Sequence, residues 1–259
     1  MKSWKVKHVT HKIQPFVYKP DSQGKTIGRV FGTPLIVQGG TWFPLIELGF
    51  WAGASWFSAK KHPQRSCGEH LGAGALTTLA ILGSEWCHNL AHAAAAHWIG
   101  KPMDALRIQL GMPQVIYTDI NDTCVTPRQH ILRSLGGPLF NALLLPLAML
   151  FKRFTRPGSI AHDAANAAVG MNTFLCTASL LPIPGIDGGP VLKWSLVEGG
   201  KTRQQADETV QKVNRVTGVG LGAAAGIAFG KRRWFLGAFL GLFAVLSALI
   251  GFGLIREQH

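Results

Sequence analysis

The chain has 259 residues, a formal charge of +13, 47% apolar residues and only 15% charged ones, where about 25% charged is usual for a soluble domain. That balance excludes a disordered chain, and Cys67, Cys87, Cys124 and Cys176, with no CxxC pair among them, argue against a disulfide scaffold and a cysteine zinc ribbon. The 26 Lys and Arg residues sit between apolar runs and are not gathered with interleaved aromatics, which points to a membrane protein and away from nucleic acid.

Residues 1–33 form a basic N-terminal tail carrying Lys2, Lys5, Lys7, Lys12, Lys19, Lys25 and Arg29. The tail lacks the pattern of a cleavable signal and is expected to be cytoplasmic, or to pair as short strands around Lys5–Thr10. Apolar runs follow at Thr33–Phe57, Leu71–Ile99, Ile131–Phe151, Ala164–Leu181, Val216–Gly230 and Trp234–Ile255. A membrane span needs roughly 20 such residues. The first run is interrupted by Gly39-Gly40 and carries Glu47. The fifth is short, Gly-rich and closed by Lys231-Arg232-Arg233, so it is either half of a tight helical hairpin with the sixth or a segment that only dips into the membrane. After the second run, Leu106-Arg-Ile-Gln-Leu-Gly-Met112 alternates apolar and polar residues, the period of a strand. The expected fold is therefore an all-α polytopic membrane protein with about six transmembrane helices, four at the fewest, and a short membrane-associated β segment after the second. Residues 34–259 read as one membrane domain. With six spans, 17 Lys and Arg fall on the side of the N-terminus and 9 on the other, which places the N-terminus in the cytoplasm.

Ionisable residues inside a span are costly and mark candidate sites. The second run holds Glu85-Trp-Cys-His-Asn-Leu-Ala-His92. His88 and His92, four apart, share one helix face, a spacing that lets two imidazoles hold one metal ion. Two buried histidines satisfied by carbonyls would show the same spacing. His97 is turned ~140° from His92 and reads as interfacial or structural. Cys87 points ~100° from His88 and reads as packing. Asp187, in Leu181-Pro-Ile-Pro-Gly-Ile-Asp-Gly-Gly189, is the candidate third ligand. The chain crosses twice between the ends of the second and fourth runs, so both ends face the same side. Asp187 also suits an ordinary turn before two glycines.

Together these segments resemble the site-2 protease family of intramembrane zinc metalloproteases, which carries H-E-x-x-H on one span and L-P-x-P-x-x-D-G near a later one. Here the corresponding stretches are His88–His92 (HNLAH) and Leu181–Gly189, and Gly137-Pro-Leu-Phe-Asn141 resembles the family's intervening G-P-x-x-N. The resemblance covers a core of residues 71–192. It implies that His88, His92 and Asp187 ligate Zn2+, that Asn141 contacts substrate or the metal's water, and that the strand at Leu106–Met112, with Ile108 and Leu110, holds substrate as an added edge strand. Two positions depart from the pattern. Asn89 stands where the family has its glutamate. In that chemistry zinc acidifies a water and the carboxylate takes its proton, and an amide has no proton acceptor of that kind. Ser179 stands where the family often has an asparagine, a shorter donor for holding substrate or oxyanion.

Glu85, three residues before His88, is open to several readings: a fourth ligand, a group orienting His88, a displaced base, or a buried protonated carboxyl. Asn141 and Asn172 could equally serve interhelical hydrogen bonding, a reading that weighs more for Asn172. Glu47 gets no role. Two functions follow. One is a pseudoprotease that keeps zinc, has lost efficient hydrolysis and binds membrane-spanning or membrane-proximal peptide segments at the lipid bilayer. The other is an active intramembrane metalloendopeptidase using a displaced base such as Glu85. A metal-handling protein on the same scaffold is a third, weaker reading.

Overall fold

The computed structural model describes residues 24–38, 43–117 and 119–255; the weakly β-like stretch Lys5–Thr10 and the Gly39-Gly40 interruption lie outside them. The described residues fall into two compact units that meet at residue 182.

The first unit combines a small sheet with four long helices. Strands β1 (Gly24–Val30) and β2 (Thr33–Gln38) form an antiparallel hairpin. Its two turn residues, Phe31 and Gly32, both have positive φ, 49° and 75°, as the hairpin turn that matches strand twist requires. Strands β3 (Ala105–Gln109) and β4 (Met112–Ile116) repeat the device around Leu110 and Gly111, at φ 53° and 91°. The order is β1-β2-β3-β4, with β2 and β3 parallel and the other pairs antiparallel. The alternation at Leu106–Met112 thus belongs to a hairpin, not to one strand. β3 has neighbours on both sides, so Ile108 and Leu110 do not lie on a free edge: Ile108 pairs with Val37 and Pro113, and Leu110 is in the turn. Among the described residues the outermost strands of the sheet are β1 and β4. The apolar run Thr33–Phe57 also divides, its start forming β2 and its end helix α1 (Leu45–Lys61). The fold class is accordingly helical with a four-stranded sheet, two of whose strands precede the first helix.

Helix α2 (Cys67–Trp98) is the spine of this unit. Ser66 caps it in a reciprocal box with Glu69, and the Ala93–Ala96 run adds strong helix formers. Its inner face carries Ala93, packed with Leu106 of the sheet and with Met103 just before β3. Small residues bring the neighbours close: a Cβ on Gly136 of α3 (Pro127–Phe154) would stand 2.8 Å from the Ala91 carbonyl oxygen of α2. Helix α4 (Ile160–Thr177) packs on α2 and α3. It is tied to the α1–α2 turn by Arg65, whose guanidinium donates to Asp163 at 2.7 Å.

The second unit begins at the Pro-Gly-rich segment and contains α5 (Gly188–Glu198), α6 (Arg203–Gly230) and α7 (Trp234–Gly251). α5 lies in a stretch that sequence patterning leaves as loop. α6 starts well before the apolar run at Val216 because a capped, polar first half, Thr202 with Gln205, extends the helix. α6 and α7 pack as a hairpin around Lys231-Arg232-Arg233, one of the two arrangements the glycine pattern allows. Gly218 gives the closeness, since a Cβ there would meet the Ala248 nitrogen at 3.1 Å.

Among the described residues two helices, α3 and α7, are long and apolar enough to cross a membrane. Broad outer faces are apolar too: Leu139, Leu143, Leu147 and Phe151 on α3 are exposed, as are Trp51, Trp56 and Phe57 on α1. Exposed apolar area on this scale marks a surface that does not face water.

The Ser66–Glu69 cap makes α2 sensitive to acid. The Ser66 backbone N–H, and then its hydroxyl, donate to the Glu69 carboxylate and hold its pKa below the ordinary value. A depressed carboxyl stabilises the fold above the unfolded-state pKa and stops doing so as pH falls through the folded-state pKa. The melting-temperature gap between wild type and Glu69→Gln in detergent should therefore be positive at neutral pH and close on acidification; a pH-independent gap contradicts this origin.

Candidate metal centre

The centre is built on the inner face of α2. His88 and His92 are buried, 5% and 3% exposed, and their rings meet edge to face with Nε2 atoms 3.1 Å apart. The His92 ring is aimed by backbone: Nδ1 lies 2.7 Å from the Arg133 carbonyl oxygen of α3. A carbonyl can only accept, so Nδ1 carries the proton and, in the neutral ring, Nε2 carries the lone pair. The Gly137 N–H also approaches this Nδ1, at 3.4 Å; the shorter contact to Arg133 decides the tautomer.

The His88 ring is aimed by a side chain. Its Nδ1 lies 2.7 Å from Asn141 Oδ1 of α3. Asn141, fully buried, donates in turn to Asn172 Oδ1 of α4 at 2.8 Å. Three helices thus contribute to the orientation of one imidazole. Gly137 makes room for the pair: a Cβ there would stand 2.4 Å from His92 Nε2 and 2.6 Å from His88 Cε1.

Asp187 belongs to the second unit, where it opens α5 after the broken segment Leu181–Ile186. Asn214 of α6 anchors this segment by donating to the Pro182 carbonyl at 2.7 Å. Gly189 is required there, since its Cβ would stand 2.5 Å from the Ile183 carbonyl oxygen. His88 and His92 are thus brought together within the first unit, while Asp187 belongs to the second. The histidine pair suits zinc. Two nitrogens bound to one tetrahedral ion at ~2.0–2.1 Å stand about 3.4 Å apart, close to the 3.1 Å between these two.

The remaining predicted residues take up other contacts. Asn89 is buried on α2 and its amide nitrogen donates to Glu85, to the carbonyl at 3.0 Å and to Oε1 at 3.2 Å. Asn141, rather than Glu85, holds His88 Nδ1. The Ser179 hydroxyl, just past the end of α4, donates back to the last turn of that helix, at Leu175 O, 2.6 Å away. His97 is exposed in the last turn of α2. Glu47 lies against the β3–β4 turn, where a side chain at Gly111 would collide with its carboxylate. Sequence reasoning missed the Arg133 carbonyl, because a backbone acceptor leaves no mark in the residue pattern. It also missed Ser84 and Asn214, which no motif contains.

A 71-residue stretch is 34% identical to a candidate zinc metalloprotease of Methanocaldococcus jannaschii, covering 27% of this chain and 37% of that relative. The chain thus spans little more than a third of the curated relative it matches. Among solved structures, the site-2 protease of Methanocaldococcus jannaschii matches over 89% of this chain and 93% of that one, with a TM-score of 0.49 and 12% identity. No family model matches this chain.

Gly137 offers a direct check on this packing. Gly137→Ala should cost about 1–3 kcal/mol by overpacking against the imidazoles, read as a lower melting temperature. Gly72→Ala on α2, with nothing within 4 Å of its Cβ, should be neutral or stabilising, since helical Gly costs about 0.5–1 kcal/mol relative to Ala. Equal melting temperatures for the two variants would show that position 137 is not confined.

Proposed function

We propose that this site-2-protease relative is an integral membrane protein that holds one zinc ion on His88, His92 and Asp187 but lacks the group that moves the proton in peptide hydrolysis. It would act as a pseudoprotease, binding membrane-spanning or membrane-proximal peptide segments without efficient cleavage. The observation that carries the reading is Asn89, whose amide nitrogen is given to Glu85. An amide at this position can donate to and accept from a water or a substrate carbonyl, but it cannot take up a proton at neutral pH. Zinc is supported by the name of the sequence relative and by the converging Nε2 atoms of His88 and His92. When bound, zinc would supply Lewis-acid polarisation of a carbonyl or water. The chain's own residues orient His88 and His92 and bury them from solvent. Loss of general acid–base catalysis typically costs 10²–10⁴-fold, so residual hydrolysis would be slow.

The same reading takes six spans, supplied by α1, α2, α3, α4, α6 and α7, with the N-terminus on the cytoplasmic side by loop charge. A peptide segment adding to the sheet would do so along the open edge of β4 or β1 rather than on Ile108 and Leu110 of the β3 hairpin.

A second reading, an active endopeptidase, is favoured by one contact. Glu85 Oε1 lies 3.2 Å from Asn89 Nδ2, so a carboxylate stands one helical turn from the missing one. The two readings separate experimentally. Detergent-purified wild type should contain about one zinc per chain by elemental analysis, and His92→Ala should contain none; a metal-free wild type sinks the zinc assignment. Wild type should leave a membrane-segment substrate uncut and Asn89→Glu should cut it. Cleavage by wild type that is abolished in both His88→Ala and Glu85→Gln would establish the second reading instead.

A further inference from the structure

We infer that Asn172 and Ser84 are positioning residues that fix the tautomer of His88, so that its Nε2 faces the centre as a lone pair. The inference rests on the metal reading for its purpose, but its geometry stands by itself. The direction of every hydrogen bond in the chain of contacts is set from its far end, by backbone carbonyls that can only accept. The Ser84 hydroxyl donates to the Ala80 carbonyl at 2.9 Å, leaving its oxygen as an acceptor. Asn172 places its amide nitrogen 2.8 Å from the Ala168 carbonyl and 2.9 Å from Ser84 Oγ. Turning the Asn172 amide over would set its oxygen against the Ala168 carbonyl, so Oδ1 must point to Asn141. Asn141 answers with its own nitrogen, 2.8 Å from Asn172 Oδ1 and 3.4 Å from the Ser84 carbonyl. Its oxygen is left for His88, and at 2.7 Å it can only accept from Nδ1–H. Asn172 is 3% exposed and Asn141 fully buried, so no bulk water offers either amide an alternative.

The consequence reaches the centre. Without this relay, His88 could carry its proton on Nε2 and donate it to His92 Nε2, a closed histidine pair with no use for a cation. With it, both Nε2 atoms, 3.1 Å apart, are acceptors. Two lone pairs at that distance repel unless a cation lies between them. The α4 amide thus converts a histidine pair into a cation site, although it touches no ligand atom of that site.

The test reads the tautomer directly. Full-length, metal-stripped protein labelled with ¹⁵N-histidine is examined in detergent, with the His88 resonances identified by their loss in His88→Gln. Wild type should show His88 protonated at Nδ1. Asn172→Leu, which removes both the donor and the acceptor, should show a mixture of tautomers and bind Zn2+ ten-fold or more weakly by chelator competition, the scale of loss seen for supporting groups around metal ligands. Should Asn172→Leu fail to fold, Ser84→Ala removes one anchor and should shift the tautomer in the same direction. An unchanged tautomer in every variant that folds overturns the inference, as does an Nε2-protonated His88 in wild type. A tautomer controlled by Asn172 in a chain that takes up no zinc upholds the relay and overturns only the metal reading.

Discussion

A polar side chain buried between apolar helices has no water to fall back on, and leaving it unsatisfied costs on the order of 1–3 kcal/mol or more. The first unit is organised around that constraint. Ser84 and His88 on α2, Asn141 on α3 and Asn172 on α4 are all nearly or fully buried, and each can be satisfied only if the three helices stand in one register. Apolar packing alone would tolerate rotation or sliding of smooth helices. The hydrogen-bonded amides do not, because each bond depends on the direction of the next.

Close packing makes the register possible. Gly136 brings the backbones of α2 and α3 almost into contact, and Gly137, one residue on, leaves space for two imidazoles. Pro138 then removes a backbone donor inside α3. The Gly-Gly-Pro triplet is poor in helix propensity, yet it sits in the middle of a long helix. Its local cost is offset by what it admits: a histidine aimed by the Arg133 carbonyl and a second aimed by Asn141.

On the proposed reading, Asn89 alone separates two functions on this scaffold. On the first unit's side, two oriented imidazoles stand in a buried setting. The residue between the imidazoles is one methylene shorter than the expected glutamate and has none of its proton affinity. It turns instead to Glu85, one turn back on the same helix, an i, i+4 pairing available on any helix surface. Conversion between a hydrolytic and a binding role would thus hinge on one titratable group rather than on any change of architecture.

Much of this protein was legible in the order of its residues. Apolar runs located α2, α3, α4 and α7 to within a few residues, because a helix between apolar surfaces must be apolar along most of its length. The spacing of His88 and His92 put them on one face, and the break at Leu181–Gly189 marked Asp187 as a candidate. Other features depended on partners distant in sequence. Sheet order was one: an alternating stretch shows that a strand exists but not how many neighbours it has, so β3 read as an edge although β2 and β4 flank it. The polar first half of α6 was another, because capping and packing override composition there. The orientation of the paired imidazoles was the third. It is set by a carbonyl and two amides 31 to 53 residues apart in sequence, and hydrogen-bond direction is a property of assembled neighbours that no single segment encodes.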